Sequence, residues 1–469
     1  MELMMKTKTV RQRLYLGVDV GGTKIQASLV SESGAMLGKQ RQSTPRSGGP
    51  EQVLSMIETV IQDVLVQAKL ETTDLTAIGV AVPGVVEPKT GHVVVTPNMS
   101  LTGVSIGSHL EGRFHVPVAI GNDGNLGTYG EAWLGSARKA RSCLGIWVGT
   151  GIGAGLVSKG RMWRGARESA GEIGHIIMQI GGPVCGCGNH GCLEALASRT
   201  AIERDIRAAL QAGGTSKLTE LSGGDLSVIR SGAIRKALKA DDALVTGILH
   251  RAAETLGYAC LTVRHLVDPQ VIVLGGGLME ACSEFMMPII ENIVGSDRLP
   301  GARDGGHVLL SALGDDAVVL GAVALARKQV GRSPFKKRYR VEPTYAEIVR
   351  FSFNEIVIGQ KAYDRDIYIL VNGKVKSRDK DLAKREGDSL QTIGPKEIEE
   401  VCKGGPEVLF VGCTRAGEVA LSEPAQRYLS QRSIRCEILP AAQLVDVYNK
   451  SKARKAALIH VKGQAAAEL

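Results

Sequence analysis

LYLGVDVGGTKIQASLV, residues Leu14 to Val30, is an apolar run that breaks on a glycine pair and then resumes. The first stretch, Leu14 to Val20, reads as a short strand ending in Asp19 and the Gly21-Gly22 pair, and ASLVSES at 27–33 lies within a hairpin's reach of it. Glycines in a tight turn let backbone N–H groups approach phosphate oxygens. The Thr23 hydroxyl and Lys24 offer further donors. This is not a P-loop, because no GxxxxGK[ST] spacing occurs here.

The same pattern recurs along the chain. CLGIWVGTGIGAGLV at 143–157 reads as strand, glycine turn, strand, and VIVLGGG at 271–277 ends another strand in glycines. AIGVAVPGVV at 77–86 and VPVAIGND at 116–123 are further buried strands. Between them, Val53, Ile57, Val60, Ile61, Val64 and Leu65 have the spacing of an amphipathic helix over 51–69. Strands ending in Gly and Asp clusters, interleaved with helices, predict an α/β fold with ligands at the strand ends.

With 469 residues, the chain has room for about three folding units. Its 58 glycines, above the usual ~7%, have no period, which points to many tight turns and away from a fibre. The net charge of +9 suits a soluble protein with a slightly basic surface, and nucleic acid is not an expected partner. No run of 18 apolar residues suggests a membrane helix, and the basic N-terminus lacks the apolar core of a signal peptide. Nine scattered cysteines, an odd number, fit a reducing cytoplasm better than a disulfide framework.

PVCGCGNHGCLE, Pro183 to Glu194, is the exception to that scatter. Cys185, Cys187 and Cys192 are too close for easy pairwise disulfides. Three thiolates and one imidazole make a closed tetrahedral Zn²⁺ shell of the structural type. His190 is the histidine nearest in sequence, but spacing alone does not choose it.

Phosphoryl transfer to a hydroxyl needs a phosphate cradle, Mg²⁺, and a carboxylate to orient or deprotonate the acceptor. Asp123, in IGNDGN just past a strand end, is a candidate for that carboxylate, although Asn-Asp-Gly-Asn suits a plain Asx turn equally well.

DVGGTK at 19–24, TPN at 96–98, GND at 121–123, GTGIGAG at 149–155, AGEIGH at 170–175 and CGCGNHGCLE at 185–194 occur in this order. Together they resemble the ROK family of sugar kinases and repressors, within the actin-like, hexokinase-like ATPases. The resemblance covers residues 12–328 and implies two actin-like (ribonuclease H-like) lobes, about 12–122 and 123–328, closing around a hexose and Mg-ATP. It implies that Asp123 is the general base, and that Asn98, Asn122, Glu172, His175 and Glu194 hydrogen-bond sugar hydroxyls. Asp19, Gly21, Gly22, Thr23 and Lys24 would serve phosphates and Mg²⁺. Gly149, Thr150 and Gly151 would hold the second phosphate region, and Gly275, Gly276 and Gly277 would border the adenosine. It also implies that the fourth zinc ligand is His175, which binds the metal through one ring nitrogen and meets the sugar through the other. WRGARES, ahead of AGEIGH, departs from a stretch that is more glycine-rich in many members, so Arg164, Arg167 and Glu168 bear on sugar access. Repressors of the family carry a helix-turn-helix ahead of the first motif, and the dozen residues here are too few for one. The expectation is therefore an ATP-dependent glucokinase-type enzyme. The alternatives are fructose, mannose, allose or an N-acetylated amino sugar as acceptor, polyphosphate as donor, or a non-catalytic sugar-binding regulator. A homodimer or homotetramer is the expected assembly.

KQVGRSPFKKRYRVEPTYAE at 328–347 lacks periodicity, and 329–346 reads as a linker. Residues 347–462 read as a small α/β domain, with an Asn-Gly turn at 372–373 and Ser422 as a helix cap. FNEIVIGQKAYDRDIYI, VLFVGC and LSEPAQRYLSQRSIRCEIL within it resemble the small domain of the adipogenesis-associated protein and a complex I assembly factor. That resemblance implies a fold and no activity.

Overall fold

The computed structural model describes residues 13–96, 99–299, 306–335, 344–379, 392–414 and 419–461. The chain divides into two compact units, Met1–Tyr339 and Arg340–Leu469.

The first unit opens with an antiparallel meander of β1 (Leu14–Val20), β2 (Lys24–Ser31) and β3 (Met36–Ser43). Helix α1 (Gly49–Ala68) returns the chain to β4 (Leu75–Val82), burying the six apolar residues expected from its spacing. A small hairpin, β5 (Val85–Glu87) and β6 (His92–Val95), and helix α2 (Ile106–Phe114) lead to β7 (Val118–Asn122) and α3 (Asp123–Trp133). The sheet order is β3-β2-β1-β4-β7, with β4 and β7 parallel to β1.

The second half repeats this plan. Strands β8 (Ser142–Val148), β9 (Ile152–Ser158) and β10 (Arg161–Met162) form the meander. Helices α4 (Leu193–Ala197), α5 (Arg199–Gln211), α6 (Leu218–Leu221), α7 (Ser231–Lys239) and α8 (Ala243–Val267) precede β11 (Val271–Gly275). Helix α9 (Gly277–Gly295), β12 (His307–Leu310) and α10 (Ala317–Gln329) complete the lobe. Its order, β10-β9-β8-β11-β12, has the same strand directions as the first sheet. Two sheets of one topology in series are two lobes of one design.

The lobes exchange their last helices. Helix α3 leaves the first sheet and packs on β8 and β9, while α10 leaves the second and packs on β1 and β4. The two helices cross at Gly130 and Gly321. A Cβ on Gly321 would stand 1.7 Å from the Leu126 carbonyl oxygen, and one on Gly130 would stand 2.1 Å from that of Ala317. Around the crossing, Tyr15, Leu126, Tyr129, Trp133, Leu320 and Val323 form the shared core.

The first unit's packing runs past Lys328, into the stretch read from sequence as linker. Phe335 is buried, with its ring 4.8 Å from that of Tyr129. An aromatic in an aperiodic stretch gives no local sign that it anchors on a helix two hundred residues away.

The second unit has its own sheet. A hairpin of β13 (Ile348–Ser352) and β14 (Glu355–Ile358), turning at Asn354 with φ 68°, pairs with β15 (Lys361–Tyr363). The main sheet places β16 (Ile367–Ile369) and β17 (Val375–Ser377) beside three parallel strands: β19 (Val408–Cys413), β21 (Arg435–Pro440) and β22 (Lys455–Ile459). A short pair, β18 (Thr392–Ile393) and β20 (Ala420–Leu421), lies apart from it. Helices α11 (Pro395–Val401), α12 (Glu423–Gln431) and α13 (Ala441–Lys450) cover the sheet, and the Ser422 hydroxyl caps α12 at Ala425 N.

Backbone contact at the α3–α10 crossing leaves no room for a side chain. Gly321→Ala is expected to cost at least about 2 kcal/mol. Gly112→Ala, at an exposed position of α2 with nothing within 4 Å of the new methyl group, should be neutral or slightly stabilising. Thermal unfolding of the two variants checks both signs.

Candidate functional site

The three glycine turns read from sequence come together at the carboxyl ends of their strands. In the first, Gly21 N donates to Lys24 O (2.9 Å), and Thr44 steadies the turn through its hydroxyl to Gly21 O (2.6 Å) and its amide to Thr23 O (3.2 Å). The second turn spans Gly149, Thr150 and Gly151, between β8 and β9. The third, Gly275 to Gly277, opens α9. Gly276 has φ 89°, and a Cβ there would meet the Val148 backbone at 2.7 Å, so only glycine lets the third turn lie against the second. Lys24 Nζ pairs with Asp315 (2.9 Å), which Arg41 also contacts (3.0 Å), tying the first turn to the other lobe. Lys24 therefore has a protein counter-charge as well as its place in the turn.

Asp123 is the first residue of α3. Its Oδ1 accepts from Gly124 N (2.8 Å) and from Asn122 Nδ2 (3.1 Å). Burial pushes its carboxyl up to about 6, against those hydrogen bonds, and the charge of Glu172 adds to the rise. Asp19 goes up to about 7, first through burial and then through the charge of Asp123, with Lys24 opposing. The two carboxylates thus share one recess.

Asn122 caps α3, accepting from Asn125 N (3.0 Å) and Asn125 Nδ2 (3.4 Å), while its own amide donates to Gly84 O (3.0 Å) and Asp123. All four hydrogen-bonding positions of the amide are then used within the protein. In this arrangement Asn122 orients the carboxylate. Asn98 lies outside the described residues.

The thiol-rich segment forms one cluster. The His175 ring and the sulfurs of Cys185, Cys187 and Cys192 all lie within 4.8 Å of one another. Cys185 Sγ is 3.6 Å from His175 Nδ1, and Cys187 Sγ is 3.7 Å from Cys192 Sγ. A tetrahedral zinc, with bonds of about 2.3 Å to sulfur and 2.0–2.1 Å to nitrogen, sets edges of about 3.8 Å and about 3.6 Å between such ligands. The donor set and its spacing fit that metal. Burial raises the Cys185 thiol, and it pushes Cys192 up to about 12, whereas the Asn189 amide lowers Cys187. Three crowded thiols ionise together only beside a strong positive charge. His190 is not part of the cluster; its Nδ1 faces the Gly182 carbonyl at 3.2 Å.

His175 sits on a single helical turn, Ile173–His175, so that its Nδ1 faces the sulfurs and its Nε2 lies 4.0 Å from Glu172 Oε2. Glu194 bridges two parts of the site. Its Oε2 accepts from Ile152 N (2.7 Å), at the second glycine turn, and its Oε1 is 3.8 Å from Cys185 Sγ. The field of Glu172 at Asp123 ties this loop to the carboxylate recess.

Sequence reading missed the partners of Thr150. Arg199 Nη2 donates to the Thr150 hydroxyl (2.7 Å), and the Thr200 hydroxyl donates to the Thr150 carbonyl (2.8 Å). Ser198 advertises a helix start in the sequence, and its hydroxyl accepts from Ala201 N. Nothing local links that start to a turn about fifty residues earlier.

Two lobes of one topology, with strand-end turns brought together and a carboxylate at a helix start, define an actin-like ATPase fold. Residues 15–329 match the ROK family, and the chain belongs to it. It is 32% identical over 318 residues to a glucokinase of Halalkalibacterium halodurans, covering 68% of this chain and 96% of that one. It is 29% identical to the DNA-binding transcriptional dual regulator NagC of Escherichia coli, covering 67% of this chain and 75% of that one. Among solved structures, a ROK glucokinase from Streptomyces griseus in complex with glucose and AMPPNP superposes with TM-score 0.60 at 29% identity. That match covers 67% of this chain and 99% of the other. Among the described residues, no helix is long and apolar enough to cross a membrane.

Removing the Asn122 side chain takes away a helix cap and a donor to Asp123. Asn122→Ala is expected to lower stability by about 1 kcal/mol. It should also move the Asp123 titration upward, since the lost hydrogen bond favours the ionised form. Thermal unfolding and a carboxylate-resolved NMR titration check the two effects.

Proposed function

We propose that the first unit transfers the terminal phosphoryl group of ATP to a hexose hydroxyl, glucose being the favoured acceptor. The observation that carries this reading is the placement of Asp123. A carboxylate pushed up to about 6 by burial heads α3, near Asp19 of the first phosphate turn and within the field of Glu172 beside His175. Asp123 accepts the proton of the attacking hydroxyl, whose oxygen bonds to the terminal phosphorus as the bond to the leaving diphosphate oxygen breaks. Glu172, His175, Glu194 and Asn98 hold the sugar hydroxyls. Asn122 acts by fixing Asp123. The turns at Gly21 to Lys24 and Gly149 to Gly151 cradle the phosphates, and Gly275 to Gly277 border the adenosine. Asp19 is the carboxylate suited to Mg²⁺, which supplies charge neutralisation on the phosphates when bound.

His175, Cys185, Cys187 and Cys192 would hold one structural zinc. With Nδ1 so engaged, the imidazole presents Nε2 to the sugar, and a ligating histidine is oriented in just this way by a partner on its other nitrogen. The similarity to NagC and to a ROK transcriptional regulator of equal TM-score, 0.60, supports a second reading, a sugar-binding regulator without turnover. Residues 347–462, which fall in a compact unit with its own sheet, are read as a docking or regulatory module carried by the kinase. A homodimer or homotetramer in the cytoplasm completes the proposal.

Because Asp123 must be ionised to take the proton, kcat/KM should be flat well above pH 6 and fall about tenfold per unit below it. Asp123→Asn is expected to lose at least about 10²-fold in kcat while still binding hexose. A coupled assay of ATP consumption across hexoses checks both. Hexose binding without turnover in the parent chain favours the regulator. Elemental analysis should find one zinc per chain, and Cys192→Ser should lose it and raise KM for the sugar.

A further inference from the structure

Arg199 is a cation set against the second glycine turn. Within that turn, Gly149 N donates to Gly151 O (2.9 Å) and Ile152 N to Glu194 Oε2 (2.7 Å). Among the described residues, the amides of Thr150 and Gly151 donate to no protein acceptor, and Thr150 is exposed. The first two residues of α5 grip the turn from the side. Arg199 N donates to Gly149 O (3.0 Å), Arg199 Nη2 to the Thr150 hydroxyl (2.7 Å), and the Thr200 hydroxyl to Thr150 O (2.8 Å).

Arg199 shares its counter-ion with a second cation. Arg199 Nε faces Glu203 at 3.2 Å, but Glu203 also pairs with Arg207 at 3.0 Å, so one carboxylate serves two guanidinium groups. Glu194, at the same turn, is turned onto the Ile152 amide. A guanidinium has five N–H donors, and one of these holds Thr150. Two free amides and a hydroxyl oriented by a cation are what a phosphate chain binds.

We infer that Arg199 is a phosphate-positioning residue: it fixes the Thr150 hydroxyl and supplies the positive charge of the second phosphate turn. This rests on the kinase reading given above. The residue acts on the nucleotide side of the cleft and has no part in choosing the sugar.

The test uses the full chain and calorimetric binding of MgATP and of adenosine, with steady-state KM for ATP and hexose alongside. In Arg199→Met, MgATP should bind about 10- to 100-fold more weakly, the range of a lost charged hydrogen bond. Adenosine affinity and hexose KM should stay within about twofold of the parent, and Arg199→Lys should restore part of the loss by its charge. Should Arg199→Met fail to fold, Thr150→Val removes the acceptor instead and is expected to weaken MgATP in the same direction. MgATP affinity unchanged in a folded variant overturns the inference alone, as does a parallel loss of adenosine binding. A parent chain that binds no MgATP overturns the kinase reading and this inference with it.

Discussion

Two helices that touch backbone to backbone hold the two lobes of the first unit together. Where α3 crosses α10, Gly130 and Gly321 let main-chain atoms of the two helices meet directly. Each helix comes from one sheet and packs on the other, so the crossing joins the lobes. The start of α3 is Asp123. The Asp123 carboxylate thus stands about two turns before a close packing contact of its own helix. Interiors packed at this density move as blocks, which keeps the carboxylate in register with its own lobe.

The recess at the head of α3 is electrostatically unfavourable. Burial raises both Asp19 and Asp123; the charge of Asp123 adds to the rise at Asp19, where Lys24 offsets part of it, and the charge of Glu172 adds to the rise at Asp123. Such a pair lowers stability at neutral pH and makes each carboxylate a better proton acceptor than an ordinary one. Asn122 keeps Asp123 from turning away, and it does so with hydrogen bonds that also cap the helix. The thiol-rich loop has a different deficiency. Ile177, Ile180 and Val184 are exposed, and Cys185, Cys192 and Ala195 form only a small buried cluster. A segment with so little apolar packing depends on its turn hydrogen bonds and on whatever binds the four ligands.

The second unit has a different internal logic. Its most buried polar group is a network in which Arg378 binds Glu397 through two nitrogens and also reaches His460, while Tyr368 donates to the same carboxylate. Burying a guanidinium is tolerable because these hydrogen bonds compensate its lost solvation. The network ties β16, α11 and the end of β22 together, in a unit whose two apolar clusters lie on opposite faces of its sheet.

Local chemistry determined much of this protein from its sequence. The strands ending in glycine turns, the α1 stripe, the Ser422 cap and the crowding of three cysteines all depend on neighbours within one or two turns. Periodicity and turn chemistry report such neighbours directly. The tertiary structure decided what no period records. It set His175 among the sulfurs and turned His190 away, consumed Asn122 within the protein, paired Lys24 with Asp315, and brought Arg199 to Thr150. It also kept Phe335 in the first unit's core. Each of these contacts joins residues whose separation in sequence has no repeat. Their meeting follows from how two sheets exchange helices, and that exchange is encoded in glycines whose role appears only when another backbone arrives against them.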